Sequence, residues 1–103
     1  MSDDARPLAP VDVTVSWTRA TVHISWHHPV AQSSRPVRRY DIHYRTVGHW
    51  VPLAAVSVNT TEYDWTTPSR GTTYEFRLYS VTDGERYSEP SSSVSIKTTG
   101  WTM

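Results

Sequence analysis

Five histidines offer the first route to chemistry: His23, His27, His28, His43 and His49. Imidazole binds divalent metals and moves protons near neutral pH, so spacing decides whether these rings can cooperate. His27 and His28 are adjacent, which sends their rings to opposite sides of an extended chain. No two histidines stand two residues apart on one strand, and no helical pattern supports an i, i+4 pair. The sequence has no cysteine, so thiolate ligands, disulfides and cysteine nucleophiles are excluded. No metal site and no cofactor are expected. Serine is abundant, at 13 residues, and a Ser/His/Asp set by count alone carries no information. The sequence holds no Gly-x-Ser-x-Gly, no glycine-rich phosphate loop and no HExxH. The chain is not expected to be an enzyme.

Binding chemistry is better represented. Arg35, Arg38 and Arg39 fall within five residues, and Arg45 follows. Guanidinium groups pair bidentately with oxyanions, so this cluster suits an acidic protein partner or a sulfated glycan. Against it stand nearby acids and an overall balance of 10 Lys+Arg with 10 Asp+Glu. That zero net charge also argues against nucleic acid, whose partners carry a basic excess. Asn59-Thr60-Thr61 fits the N-x-[ST] acceptor motif, which makes Asn59 a glycosylation candidate if the chain is secreted.

The elements that would position these residues are legible in composition. Val occurs 12 times and Leu 3 times, and Ser and Thr together make 27 residues. Branched and aromatic side chains favour strands, so this is a β protein. At 103 residues the chain is one domain in size. No run approaches the roughly 18 apolar residues of a membrane-spanning helix. The first ten residues are polar and contain proline, unlike a signal peptide, so any signal or membrane span is expected outside these residues.

Alternation of apolar and polar side chains marks seven strand-like segments. They centre on Val11/Val13/Val15, Val22/Ile24/Trp26, Tyr40/Ile42/Tyr44, Trp50 to Val58, Tyr63/Trp65, Tyr74/Phe76/Leu78 and Val94/Ile96. This spacing predicts an antiparallel sandwich or barrel, and Pro52 puts the fourth segment at a sheet edge. Trp26 is the predicted central core ring, with Val22, Ile24, Tyr44 and Phe76 around it. Parity then turns Arg39, Asp41, His43, Arg45, Glu75, Arg77 and Tyr79 outward. Such a face is either solvated and ion-paired or a partner surface.

The order of these pieces resembles a fibronectin type III domain over residues 7–99. Ala9-Pro10 before the first valines, Ile24-Ser25-Trp26-His27-His28-Pro29, Tyr40 to Arg45, Trp50, Gly71 to Leu78 and Gly84 to Ser91 are similar to successive parts of that family's pattern. Pro68 stands where the family usually has Leu, and Arg70 where it often has Pro. The resemblance implies an all-β, seven-stranded antiparallel immunoglobulin-like β-sandwich without the disulfide of true immunoglobulin domains. Residues 1–6 are then an expected disordered segment and 100–103 a mobile tail bearing Trp101. Tyr74 is implied to cap a corner by donating its hydroxyl to an upstream carbonyl.

The resemblance also implies a non-enzymatic interaction and spacer module, monomeric in isolation, from the extracellular part of a single-pass adhesion or receptor protein. Its partners would be cell-surface or matrix proteins, met through the loop from His27 to Pro36, the loop from Thr82 to Glu89, or the third-strand face. No Arg-Gly-Asp occurs, so integrin binding through that motif is not expected. A cytokine-receptor ectodomain, an intracellular scaffold domain and an accessory module of a carbohydrate-active enzyme are the alternatives. The cytokine-receptor Trp-Ser-x-Trp-Ser signature is absent, the matching stretch being Arg86 to Pro90.

Overall fold

Residues 6–29 and 36–99 are described by the computed structural model. Every alternating segment forms a strand: β1 (Val11–Thr18), β2 (Thr21–His27), β3 (Val37–Arg45), β4 (Val51–Ser57), β5 (Glu62–Trp65), β6 (Thr72–Thr82) and β7 (Val94–Thr98). They make two antiparallel sheets, one ordered β1-β2-β5 and the other β4-β3-β6-β7. The fold is a seven-stranded sandwich. Because β4 is an edge, Pro52 needs no ladder partner on its outer side, as its missing N–H requires.

The core follows from parity along three strands. Val22, Ile24 and Trp26 on β2 face Tyr40 and Ile42 on β3 and Tyr74, Phe76 and Leu78 on β6, all buried. Trp26 meets Tyr40 edge to face at 5.8 Å between centroids. Tyr40 therefore takes the place beside Trp26 that the sequence reading gave to Tyr44. Tyr44 is half-buried at the other end of β3, packed against Trp65 and Tyr74. The reason is length: four residues of β3 separate the two rings, about 13 Å of extended chain.

The corner before β6 is built differently from the expectation. Ser69 N–H donates to the Tyr74 hydroxyl at 2.8 Å, so the tyrosine oxygen accepts from backbone here. Thr98, fully buried on β7, completes the corner. Its hydroxyl donates to the Ser69 carbonyl at 2.6 Å and accepts from Thr72 N–H at 3.1 Å. A buried hydroxyl from the last strand thus helps to hold the chain just after Pro68.

β6 is longer than β7, and serines cover the difference. Beyond Phe76 the β6 backbone would lack partners on that side, because β7 pairing stops there. Ser91 Oγ accepts from Leu78 N–H at 2.9 Å, while Ser91 N–H donates to the Leu78 carbonyl at 2.8 Å. Ser88 repeats the pattern against Ser80, at 2.9 Å in both directions. Two buried serines reproduce a strand's ladder where Pro90 forbids a regular one.

β1 begins and β7 ends at opposite poles of the sandwich. Val11 pairs with His27 at the end of β2, and His28 bonds the Tyr40 hydroxyl near the start of β3. Thr98 pairs with Thr72, at the far end of β6 from Thr82, which pairs with Val37.

Candidate functional site

The outer face of the β4-β3-β6-β7 sheet gathers cations and half-buried or exposed aromatic rings. Register sets the layout: Arg45 lies opposite Glu75, His43 opposite Arg77, and Asp41 opposite Tyr79. On the other side, Tyr44 pairs with Val51, which carries Trp50 across from Arg45. Trp50 is approached by two guanidinium groups, with Arg45 at 4.4 Å and Arg77 at 4.1 Å from the ring centre. Arg77 also lies 5.4 Å from the Tyr79 ring. His43 packs on Tyr79 at 5.1 Å, Tyr79 on Tyr87 at 5.9 Å, and Arg39 sits 5.9 Å from Tyr87. The result is a run of cations and rings from Arg45 to Arg39, each neighbouring pair close enough for cation–π attraction or ring packing.

Most of these cations are also ion-paired. Arg39 donates through Nε to Asp41 at 2.7 Å and through Nη1 and Nη2 to Glu85 at 2.8 and 3.0 Å. It further donates to the Tyr87 hydroxyl at 3.0 Å. The Glu85 and Asp41 hydrogen bonds raise its pKa still further, so it is charged at any accessible pH. Reciprocally, the Arg39 hydrogen bonds hold Glu85 below the usual carboxylate range. Arg45 Nε donates to Glu75 at 2.8 Å and lowers that carboxyl in the same way. Arg38 pairs with Asp83 at 3.0 Å, both largely in solvent. Burial lowers the His43 pKa, Asp41 opposes that and Arg77 reinforces it, so the ring is held toward its neutral form.

Glu85 reaches Arg39 from a turn of uncommon backbone. Gly84 has φ 82° and Glu85 φ 62°, a left-handed pair closed by the bond from Glu85 N–H to the Thr82 carbonyl at 3.1 Å. Non-glycine residues seldom adopt such φ values, and the bidentate grip on Arg39 helps to offset the cost.

Of the arginine cluster read from the sequence, Arg39 and Arg45 are brought to one sheet face, Arg38 lies at the register shift between Val37 and Arg39, and Arg35 lies outside the described residues. Residues 1–5, residues 30–35 of the His27–Pro36 loop, and the tail with Trp101 also lie outside them. Arg6 is ion-paired with Glu89. Asn59 is exposed in the turn after β4, its N–H directed at Ser57 Oγ at 3.3 Å. Trp26, Tyr74 and Phe76 are buried, and Tyr44 packs at the core margin. The histidines go to separate partners: His23 to Asp64 and Glu62, His27 to Asp12, His28 to Tyr40. Among the described residues, no group of three or more His, Cys, Asp or Glu converges for a metal ion.

Sequence reasoning missed the places of Trp50 and Tyr87 on this face. Trp50 precedes the first β4 residue and sits past the Gly48 break, so parity could not be carried to it. A bulge between Ile42 and His43 further shifts the β4 register. Tyr87 reaches the face through a single bridge to Val81, which no sequence period announces.

Comparison with known proteins places this geometry. Residues 7–96 match the family model of the fibronectin type III domain, and the chain belongs to that family. Membership makes it a non-catalytic module. The fold is shared with the twitchin kinase region from C. elegans, at TM-score 0.83 and 23% identity over 93% of this chain and 17% of that one. A β-1,2-glucanase from Parabacteroides distasonis matches at TM-score 0.78 and 20% identity over 98% of this chain and 14% of that one. The FN5 domain of Drosophila Lar matches at TM-score 0.73 and 23% identity, over 92% of this chain and 99% of that one. Modules of this kind thus occur in diverse multidomain proteins, and this chain spans only a small part of the first and second of these.

Proposed function

We propose that this domain is a protein-interaction and spacer module from the extracellular part of a single-pass adhesion or receptor protein. The outer face of the β4-β3-β6-β7 sheet is its docking surface. One observation carries the second statement: the run from Arg45 through Trp50, Arg77 and Tyr79 to Tyr87 and Arg39. Arginine, tyrosine and tryptophan are the side chains that dominate binding energy at protein interfaces. Here they are held rigid by a sheet, so little side-chain entropy is lost on docking. The start of β1 and the end of β7 at opposite poles support the spacer reading, since tandem copies would extend in line.

The expected sulfated-glycan ligand of Arg35, Arg38, Arg39 and Arg45 meets the acidic partners that three of these arginines already hold. Those carboxylates would repel a polyanion, which favours a protein partner. Asn59 is proposed as a glycan acceptor on its exposed turn, checked by a mobility shift after glycosidase treatment of mammalian-expressed protein. The main test screens the domain against an array of cell-surface ectodomains, alongside a Trp50→Ala/Tyr79→Ala variant with wild-type circular dichroism. At least one ectodomain should bind the wild type and lose the variant. Hits that keep the variant unchanged would move the docking surface to the loops.

A further inference from the structure

Among the described residues, Arg77 is the arginine of the outer face that has no ion pair. Arg39 holds Asp41 and Glu85, Arg38 holds Asp83, and Arg45 holds Glu75. Among the described residues no carboxylate lies within ion-pair distance of Arg77, and its Nε is buried without a hydrogen-bond partner. Its position is nonetheless fixed, between Trp50 at 4.1 Å and Tyr79 at 5.4 Å. A guanidinium so placed is pre-ordered and partly dehydrated, the state in which a carboxylate binds it most strongly. We infer that Arg77 is the anchor of the docking surface, and that its partner is a protein segment presenting one Asp or Glu flanked by apolar side chains. This deepens the docking-face reading above and rests on it.

The surroundings select that chemistry. The buried Nε leaves the terminal Nη pair as the donors for an incoming carboxylate, in an end-on fork. Trp50, Tyr79 and Tyr87 present ring surface on the same face, and apolar side chains beside the acid would cover it. A polyanion does not fit as well. It would place further negative charge against Glu75, Asp41 and Glu85, which already occupy the neighbouring arginines. One carboxylate answers the one guanidinium of this face that, among the described residues, has no ion pair.

The test is selection from a random twelve-residue peptide library displayed on phage, panned on the folded domain. Enriched peptides should share an acidic residue between apolar ones. Synthetic copies should weaken by about tenfold or more on Arg77→Ala and on replacing the peptide's acid by its amide. Arg77→Lys should recover only part of the binding, because an ammonium lacks the planar fork. A wild-type urea midpoint and unchanged far-ultraviolet circular dichroism for each variant exclude misfolding as the cause. Peptides that lose binding to Trp50→Ala but need no carboxylate would overturn the Arg77 inference and leave the docking face standing. Peptides indifferent to both Trp50 and Arg77, or no enrichment at all, would overturn both. A heparin hexasaccharide that binds more tightly than the selected peptides would overturn the single-carboxylate partner.

Discussion

Tyr74 shows how one side chain can be right in position and different in chemistry. Its ring is buried with Phe76, and its oxygen caps the corner by accepting from Ser69 N–H. Tyr74→Phe removes that acceptor while keeping the ring, so the loss should be near the net value of one hydrogen bond, about 1 kcal/mol. Urea denaturation checks it, with an unchanged slope and a lower midpoint expected. An unaltered midpoint would show that Ser69 finds water at no cost. Trp26 illustrates the opposite case. The sequence showed its place at the centre, but not that its indole Nε1 would be buried without a hydrogen-bond partner. Donor satisfaction depends on which carbonyls neighbouring strands turn toward the ring, and no local pattern encodes that.

Two elements carry consequences of their own. The upper half of β6 depends on Ser88 and Ser91, each buried and each accepting a strand N–H. Ser88→Ala leaves the Ser80 N–H buried and unpaired, which should cost about 1–3 kcal/mol, more than an exposed serine substitution. Faster amide exchange at Ser80 would accompany the loss, and protection equal to wild type would refute the ladder role. The β1–β2 hairpin presents an opportunity instead. Its two turn residues, Arg19 and Ala20, have φ 53° and 66°, the left-handed values of a two-residue turn that favours Asn-Gly. Ala20→Gly should therefore stabilise the domain by about 1 kcal/mol and raise Tm by about 5 °C. Thermal unfolding decides it, and a lower Tm would mean that the unfolded-state entropy of glycine outweighs the relief.

At the scale of the whole molecule, several shifted groups make stability fall toward acid in two steps. His43 is lowered in the folded state by burial and by Arg77, with Asp41 opposing. The unfolded chain therefore binds more protons below its own histidine pKa of about 6.5, and stability drops as pH falls through that range. Glu85 and Glu75 are lowered by Arg39 and Arg45. Their contribution is present above the ordinary carboxylate pKa, about 4.3, and is lost as pH falls through the folded values. His43→Gln should flatten the upper step and leave the lower one. Urea midpoints taken from pH 8 to pH 3 test this, and an identical slope between pH 7 and pH 5 in the variant would refute it.

The sandwich itself is written in the order of residues. A two-residue period in valine, isoleucine and aromatic side chains dictates strands, and burying one face of each dictates two layers, so Val22, Ile24, Trp26 and Phe76 could be placed inside from the sequence. The arginines could be named from the sequence too, but not their states. Whether a cation is spent on a carboxylate or left unpaired depends on register and on which loop returns to the sheet. Arg39 is neutralised by Glu85, 46 residues away, through a left-handed turn, whereas Arg77 faces Trp50 across β3. Periodicity is a local property of the chain. Charge pairing is a through-space one, and only the tertiary structure sets those distances.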